Sequence, residues 1–562
     1  MTRVVTIIIT CVLTLSFQMS AQDLERIVKA KPIEVSGAIG GNVGAYSASG
    51  IDYRTSPLRY GLTARLNVRI YGVDLPIYAT LRDHSFNYGS SFSRIRINPQ
   101  YKWVRLHIGD VFMNFNRYTL SGRTVRGIGA ELTPGKFRLK LLYGKIEDLR
   151  AYTDTLLLGT TFMPTYARRT AAIGIGTGTA STFFDIYAVR TWDNLDSLNG
   201  RPANERITRQ SNTIVGSTLR IRFNRSLSLN SNFGLSFLTE NLDSFGENFV
   251  FGENRLTSSL IEGNLSSSLT YAGDVGLNYT AKIFSLNATA QYIQPYYQPL
   301  SVAFINSDLV NYTVGGSLSL FQRKVNLTGS IGLQSNNLSG SKLSTASHII
   351  ANLAANIRFN KNWSANINYF NFTQDFQAQL VLIDDIYTYA ISNNIATGAL
   401  RYTFKRDNIQ YSIVGRGGQT TFYTIDNNEV EQGAYDSYNG GIDFSMNDMD
   451  RNLRLMGGLS YRSYQRANSS LENYGIRLSA RKGFWDNALG LTVVTNFFLN
   501  DSFGKREGYT FRNSVGGDYQ INNASTVGVH LNHISRQSNI RNDFSEFRAD
   551  IRYIYQFQSG RR

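Results

Sequence analysis

Apolar and polar side chains alternate every second residue along almost the whole chain, from near Ile33 onward. In residues 284–292 (FSLNATAQY), Phe, Leu, Ala and Tyr fall on one face, and Ser, Asn, Thr and Gln fall on the other. The same division recurs in residues 325–333 and 363–369. Successive side chains of a pleated strand point to opposite faces. The period of two therefore predicts strands whose two faces meet different solvents.

The composition favours strands over helices throughout. Aromatic residues make up 12% of the 562 residues, charged residues only 17%, and the chain has 49 Gly but 9 Pro. Such material suits pleated sheets, and we find no helical period, composition shift or Pro-rich linker. The polar face is rich in amides and hydroxyls, where a water-soluble sandwich usually carries more charge. One uniform all-β unit is the simplest interpretation.

The connections between strands indicate a transmembrane barrel. Short turns begin with an aromatic residue on the apolar face, whereas longer polar loops occupy residues 147–168, 193–210 and 239–268. Lipid cannot hydrogen-bond unpaired backbone groups, so a sheet in a membrane must close. Aromatic rings favour the headgroup level. We therefore predict an aromatic belt that includes Phe223, Phe321, Phe359, Trp363 and Phe404.

Counting alternating segments predicts an all-β fold, a single antiparallel barrel of about 26 strands (24–26), with short periplasmic turns and long extracellular loops. An even count places both termini on the short-turn side, in the periplasm. Residues 1–21 resemble a secretory signal peptide, which contains the only cysteine, Cys11. We assign residues 22–32 to a short periplasmic segment, 33–557 to the barrel and 558–562 to a tail.

Two stretches resemble known outer-membrane proteins. Residues 109–144, above all YTLSGRTVRGIGAEL, resemble a stretch of large, poorly characterised outer-membrane barrels of the Bacteroidota, and faintly the strand style of fimbrial ushers. Residues 547–557 (FRADIRYIYQF) resemble the C-terminal aromatic signal of outer-membrane barrels, followed here by five more residues. The resemblance implies a bacterial outer-membrane location and a barrel fold, and it implies no reaction. The short 22–32 segment leaves no room for a plug domain of the TonB-dependent type.

The chemistry of the side chains predicts no enzyme. The five histidines are dispersed, and two of them, His530 and His533, are three apart and face opposite ways on a strand. The glycine string at 174–178 has no following helix that could make a phosphate loop. The sequence NDMD at 447–450 offers too few ligands for a calcium loop. We predict no catalytic residue, no metal site and no cofactor.

Basic residues recur on the predicted polar face, often two or four apart, in a chain of net charge +16. Two interpretations remain open. The rows form a cationic lumen that favours anions, or they pair with carboxylates of neighbouring strands and stiffen the wall. The candidate lumen residues are Arg65, Arg69, Arg94, Arg96, Arg138, Lys140, Arg220, Arg222, Arg548 and Arg552.

A barrel of this size encloses a wide opening that something has to occlude. The loop at 239–268 is a candidate plug, or alternatively a surface loop or two further strands. We expect a barrel subunit of an export, assembly or uptake complex, gated by loops or partners. The alternatives are a stand-alone channel with anion preference and a surface scaffold or adhesin. Expected partners are outer-membrane lipid including lipopolysaccharide, and proteins of a membrane complex, but no nucleic acid.

Overall fold

The computed structural model describes residues 33–82, 93–148, 165–194, 208–244, 249–250, 262–380, 385–426, 429–430, 435–466 and 469–558. In this part of the chain the strands form a closed antiparallel barrel of 26 strands, which confirms the predicted fold class. The described residues include no helix long and apolar enough to span a membrane.

The barrel strands follow one another in chain order, and each pairs with its neighbours in sequence. They are β1 Ile33–Ser49, β2 Leu58–Ile70, β3 Val73–Arg82, β4 Arg94–Ile97 continued by Gln100–Tyr101, β5 Val104–Val111, β6 Val125–Leu132, β7 Phe137–Glu147, β8 Arg168–Gly178, β9 Phe183–Asp193, β10 Ser211–Arg222, β11 Leu227–Thr239, β12 Ser267–Thr280, β13 Phe284–Ile293, β14 Leu309–Leu320, β15 Val325–Asn336, β16 Ser344–Arg358, β17 Trp363–Leu380, β18 Asp385–Arg406, β19 Ile409–Asp426, β20 Tyr435–Asp448, β21 Leu453–Arg466, β22 Ser469–Phe484, β23 Leu489–Ser502, β24 Lys505–Gln520, β25 Ser525–Ser538 and β26 Phe544–Gln558.

Three short strands lie outside this series. Glu429–Val430 pairs with the end of β19, and Phe249–Val250 pairs with Glu262–Gly263 in a separate two-stranded sheet. That small sheet falls within the loop at 239–268, for which two further strands were one of the expectations. Residues 245–248 and 251–261 of this loop lie outside the described residues, so the plug proposed for it remains a prediction.

The barrel closes where β1 pairs with β26. The antiparallel ladder runs from Ser36 opposite Gln558 to Ser49 opposite Ser545. The strictly alternating C-terminal segment is therefore the closing strand. With both edges joined, the described strands leave no free sheet edge, as a membrane-spanning sheet requires.

One face of the ladder carries exposed apolar side chains. This face continues across the seam, which is the pairing of β1 with β26. Ile551 of β26 lies opposite Val43 of β1 and opposite Val529 of β25, and all three are exposed, Ile551 by 54%. Arg548, Asp550 and Arg552 alternate with these residues and so lie on the other face. Exposed aliphatic rows of this length are costly in water and are accommodated by lipid.

The two ends of the barrel differ in their connections. Short turns at 71–72, 223–226, 321–324, 359–362 and 449–452 lie at the end where β1 starts and β26 stops. The longer connections all lie at the opposite end. Phe223, Phe321 and Phe359 are exposed in the short turns, and Trp363 and Phe404 lie in adjacent strand ends. Their contact with lipid headgroups stays a prediction.

A buried hydrogen bond fastens the seam near its long-loop end. Tyr46 of β1 donates its hydroxyl to the Glu546 carboxylate of β26 at 2.7 Å, and Glu546 is only 2% exposed. We expect Tyr46→Phe to lower the free energy of unfolding by about 1.5–3 kcal/mol, since the buried carboxylate loses a hydrogen bond.

Denaturant titration followed by the mobility of the folded barrel in gels measures this change. Tyr53→Phe is the matched control because Tyr53 packs edge-on against Tyr46 at 5.7 Å but is 57% exposed. Equal midpoints for the two variants would show that the hydrogen bond does not stabilise the seam.

Candidate functional site

Two connections from the long-loop end fold into the barrel. Residues 112–124, between β5 and β6, form inner segment 1, and residues 294–308, between β13 and β14, form inner segment 2. Tyr118, Leu120 and Tyr297 within them are fully buried. Inner segment 1 contacts strands β6 to β13, and only the concave side of a closed sheet lets one short segment touch so many strands. These segments therefore lie in the lumen.

Inner segment 1 is fixed to the wall by polar contacts and a small core. The Asn116 side-chain amide donates to the Ser217 carbonyl at 2.6 Å and to the Thr218 hydroxyl at 3.2 Å. Phe115 packs edge-on against Tyr187 with ring centroids 5.8 Å apart. The Arg117 guanidinium lies 3.3 Å from the Asp274 carboxylate. These contacts reach β9, β10 and β12, so residues 115–117 are held against three strands of the sheet.

Glycines in the wall make room for the two segments. A Cβ atom on Gly216 of β10 would lie 2.4 Å from the Thr119 methyl group. A Cβ atom on Gly234 of β11 would lie 2.6 Å from the Tyr297 hydroxyl and 2.7 Å from Cβ of Tyr118. Both distances are far below van der Waals contact. The wall here accepts the inner segments only because these positions lack side chains.

The inner segments also bind each other. The Tyr297 hydroxyl donates to the Tyr118 carbonyl at 2.7 Å, and the Ala303 N–H donates to the Ser121 carbonyl at 3.0 Å. Burial raises the pKa of Tyr297 and that of Tyr118, and the Asp274 carboxylate adds to the rise at Tyr118. Both phenols therefore stay neutral and remain donors at neutral pH.

Asp308 anchors the end of inner segment 2. Its carboxylate, 2% exposed, accepts the Leu338 N–H at 2.8 Å and forms an ion pair with Lys342. Burial disfavours the charged form, but the contacts with Lys342, Leu338 and Asn337 outweigh it and lower the pKa of Asp308. The connection 337–343 between β15 and β16 thus holds inner segment 2 in place.

The predicted basic residues nearest the inner segments have hydrogen-bond partners in the protein. Arg138 forms two hydrogen bonds to Asp185, at 2.8 and 3.0 Å, and lies over the Phe183 ring. Lys140 donates to the Asn114 carbonyl of inner segment 1 at 3.0 Å. Arg220 donates to the Asn230 amide oxygen at 2.8 Å. These three basic side chains therefore have partners in the protein, of which one, Asp185, is a carboxylate. A stiffening role for the basic row stays a prediction.

Some of the remaining predicted basic residues have a carboxylate or aromatic partner, and others have no carboxylate partner among the described residues. Arg69 pairs with Asp74 at 2.7 Å, and Arg552 pairs with Asp518 at 3.2 Å. Arg96 lies over the Tyr78 ring, and Arg548 lies over the Tyr46 ring. Within the described residues, no carboxylate pairs with Arg65, Arg94 or Arg222. Their effect on permeating ions stays a prediction.

The opposite wall, β16 to β24, carries arginines that the sequence analysis missed. The register places them on the same face as the lumen-lining polar residues, and they are Arg358, Arg401, Arg416, Arg454, Arg462, Arg477, Arg481 and Arg512. Among the described residues only Arg416 has a carboxylate partner, Asp443 at 2.6 Å. Arg454 lies directly opposite Arg481. We call these eight residues the open basic wall.

Two cavities lie along the open basic wall. One, of about 460 Å³, is lined by Arg462, Arg477 and Arg512 together with several asparagines. The other, of about 340 Å³, includes Arg358 and Arg401 and lies near the short turn at 321–324. A sequence signal existed, since each arginine occupies the polar phase of its strand. Recognising that it lacks a partner required the cross-strand register.

The described residues offer no metal site. No group of three or more His, Cys, Asp or Glu side chains among them could hold a metal ion. His107 instead contacts Glu131 at 3.0 Å, and His533 contacts the Ser545 hydroxyl at 3.0 Å.

Comparison with known proteins gives distant structural similarities only. No protein-family model matches the chain, and no curated protein matches it. The barrel is similar to the ferric preacinetobactin receptor BauA of Acinetobacter baumannii (11% identity, 92% of this chain, 80% of that chain, TM-score 0.36). It is similar to OccK9 of Pseudomonas aeruginosa (12%, 69%, 98%, TM-score 0.30) and to the P pilus usher PapC translocation pore (9%, 93%, 99%, TM-score 0.25). At these scores none of them supports an inference about function.

A side chain added at Gly234 in the wall should displace the inner segments. We expect Gly234→Ala to cost about 1–3 kcal/mol of inner-segment packing, because Cβ of Tyr118 occupies the required space. The readout is protease cleavage within residues 112–124 of the folded barrel, which should become faster. In the control, Gly276→Ala on β12, the added Cβ comes no closer than 3.4 Å to the Thr289 hydroxyl. Unchanged cleavage in Gly234→Ala would contradict the packing described here.

The anchor at Asp308 makes inner segment 2 sensitive to acid. Because the folded-state pKa is lowered below the ordinary value of about 3.9, the carboxylate stabilises the segment above that pH. The contribution is lost as the pH falls through the lowered pKa. We expect Asp308→Asn to increase amide hydrogen exchange in residues 294–308 at pH 7, and the difference from the unmodified chain to shrink in strong acid. Asp52→Asn, in an exposed loop, controls for the charge change. Equal exchange at pH 7 would contradict the anchoring role.

Proposed function

We propose that this protein is a non-enzymatic outer-membrane conduit for anionic solutes, narrowed on one side by its own inner segments. The observation that carries the proposal is the difference in charge pairing between the two walls. Near the inner segments, Arg117 contacts the carboxylate of Asp274 and Arg138 contacts that of Asp185. Arg462, Arg477 and Arg512 on the open basic wall have no carboxylate partner in the described chain. Unpaired cations on a water-filled wall attract anions and repel cations.

The membrane assignment rests on the outer face. Rows such as Ile551, Val43 and Val529 expose aliphatic side chains all around the seam, which a lipid environment accommodates. We propose that the short-turn end, with both strand termini, faces the periplasm, and that lipopolysaccharide surrounds the opposite end. Exposed Phe321 and Phe359 in the short turns fit the aromatic belt of the periplasmic leaflet.

The size of the barrel supports a second candidate, a barrel subunit of an export, assembly or uptake complex. A barrel diameter grows with strand number, and barrels of 22 strands already need a plug. Among the described residues, the hydrogen bonds of inner segments 1 and 2 reach strands from β7 to β13 and the neighbouring connection 337–343. A partner protein that occupies the remaining space over the open basic wall would give such a complex. Loss of conductance on adding a co-purified partner would favour this candidate.

Planar-bilayer recording tests the proposed conduit. In a KCl gradient the reversal potential should indicate preference for chloride. Arg454→Gln with Arg481→Gln removes two facing charges near the short-turn end, and we expect the chloride-to-potassium permeability ratio to fall at least about twofold. Arg225→Gln with Lys282→Gln, in exposed turns of the other wall, removes the same charge and should leave the ratio nearly unchanged. Cation preference in the unmodified barrel would refute the proposal.

A further inference from the structure

The middle of the open basic wall holds a group of side chains suited to one particular ligand chemistry. Arg477 of β22 and Arg512 of β24 both lie opposite Asn496 of β23, so one amide separates the two guanidinium groups. Arg462 of β21 lies opposite Asn473 of β22. These three arginines line the cavity of about 460 Å³, a size typical of small-molecule sites.

The arginines in this cavity are available to a ligand. Asp443, the only carboxylate that lines the cavity, pairs with Arg416 at 2.6 Å. No carboxylate in the described chain pairs with Arg462, Arg477 or Arg512. A guanidinium group presents a planar fork of N–H donors that fits a carboxylate with two parallel hydrogen bonds. The cavity can therefore bind a carboxylate without breaking an existing ion pair.

The neutral lining adds hydrogen-bonding groups of a second kind. Asn473 donates to Asn500, which donates to the Thr510 hydroxyl at 3.1 Å. In the described chain, Asn439 and Asn496 make no side-chain hydrogen bond. An amide both donates and accepts, which matches a hydroxyl group better than it matches a simple anion. The ring centroid of Phe498 lies 5.8 Å from the guanidinium carbon of Arg512, and the ring gives the cavity one apolar surface.

We propose that this cavity, which we call the arginine–asparagine site, binds a polyhydroxylated carboxylate of the uronic acid class. The arginines bind the carboxylate, the asparagines bind the ring hydroxyls, and Phe498 contacts the apolar face of the sugar ring. The inference builds on the proposed anion conduit, whose substrate class it specifies. The arginine–asparagine site lies in the middle of the open basic wall. Arg454 and Arg481, which are changed in the test of the proposed conduit, lie nearer the short turns.

Blocking of the ionic current by glucuronate tests the site, with glucose as the neutral control of similar shape. We expect glucuronate to interrupt the current at a concentration at least about tenfold lower than glucose, since charge-assisted hydrogen bonds are formed only with the acid. In Arg477→Gln with Arg512→Gln this advantage should disappear. The variant Arg225→Gln with Lys282→Gln should retain it.

A charge-preserving variant distinguishes the effect of the planar guanidinium fork of N–H donors from the effect of its positive charge. Arg477→Lys with Arg512→Lys keeps both charges, and it should keep the chloride preference while weakening glucuronate block several-fold. Gel mobility of the folded barrel verifies that each variant is folded. If inorganic phosphate blocks as strongly as glucuronate, the site is a plain anion site and the sugar assignment is wrong.

The two proposals fail in distinguishable ways. A barrel that conducts chloride preferentially but responds equally to glucuronate and glucose retains the proposed function and refutes the arginine–asparagine site. A barrel that does not conduct anions refutes the proposed function. Calorimetric binding of glucuronate to the barrel in detergent, lost in Arg477→Gln with Arg512→Gln, would then still support the site.

Discussion

The structure depends on one constraint, that every backbone N–H and C=O group within hydrocarbon must find a partner in the protein. A sheet meets this demand only by closing, and here the last strand, β26, pairs with the first along the whole length from Ser36 to Ser49. The buried contact between Tyr46 and Glu546 supports the same seam from inside. Closure then defines a convex face for lipid and a concave face for water, and the alternation of side chains follows from it.

Once the concave face exists, the chain uses it in two ways. On one side, glycines at 216 and 234 let the inner segments approach the wall. Basic side chains there have partners in the protein, as Arg138 contacts Asp185 and Lys140 contacts inner segment 1. On the other side, seven of the eight arginines of the open basic wall have no carboxylate partner in the described chain, and amides lie between some of them, as Asn496 lies between Arg477 and Arg512. We expect the first wall to provide rigidity, and the second provides the electrostatic field that we propose selects the solute.

The sequence predicts the architecture well because the signal is local. The alternation in residues 284–292 and 547–557 needs only the geometry of a single strand. The inner segments are not predictable in this way. The resemblance in residues 109–144 implied only a location and a barrel fold, and gave no sign that residues 112–124 turn into the lumen. Tyr118 is buried there by Gly234 and Tyr297, which are more than a hundred residues away in sequence. The same applies to the candidate site, because ion pairing depends on register between strands.

The central claim is that alternate residues of one strand face lipid and water. Single cysteines at Ser330, Ile331, Gly332 and Leu333 of β15, each carrying a fluorophore, test it most directly when the barrel is reconstituted with brominated lipid. Ile331 and Leu333 are about half exposed on the apolar face. Strong quenching by lipid at 331 and 333, with quenching by a water-soluble agent at 330 and 332, is the predicted result. Equal quenching at all four positions, or the opposite phase, would contradict the account.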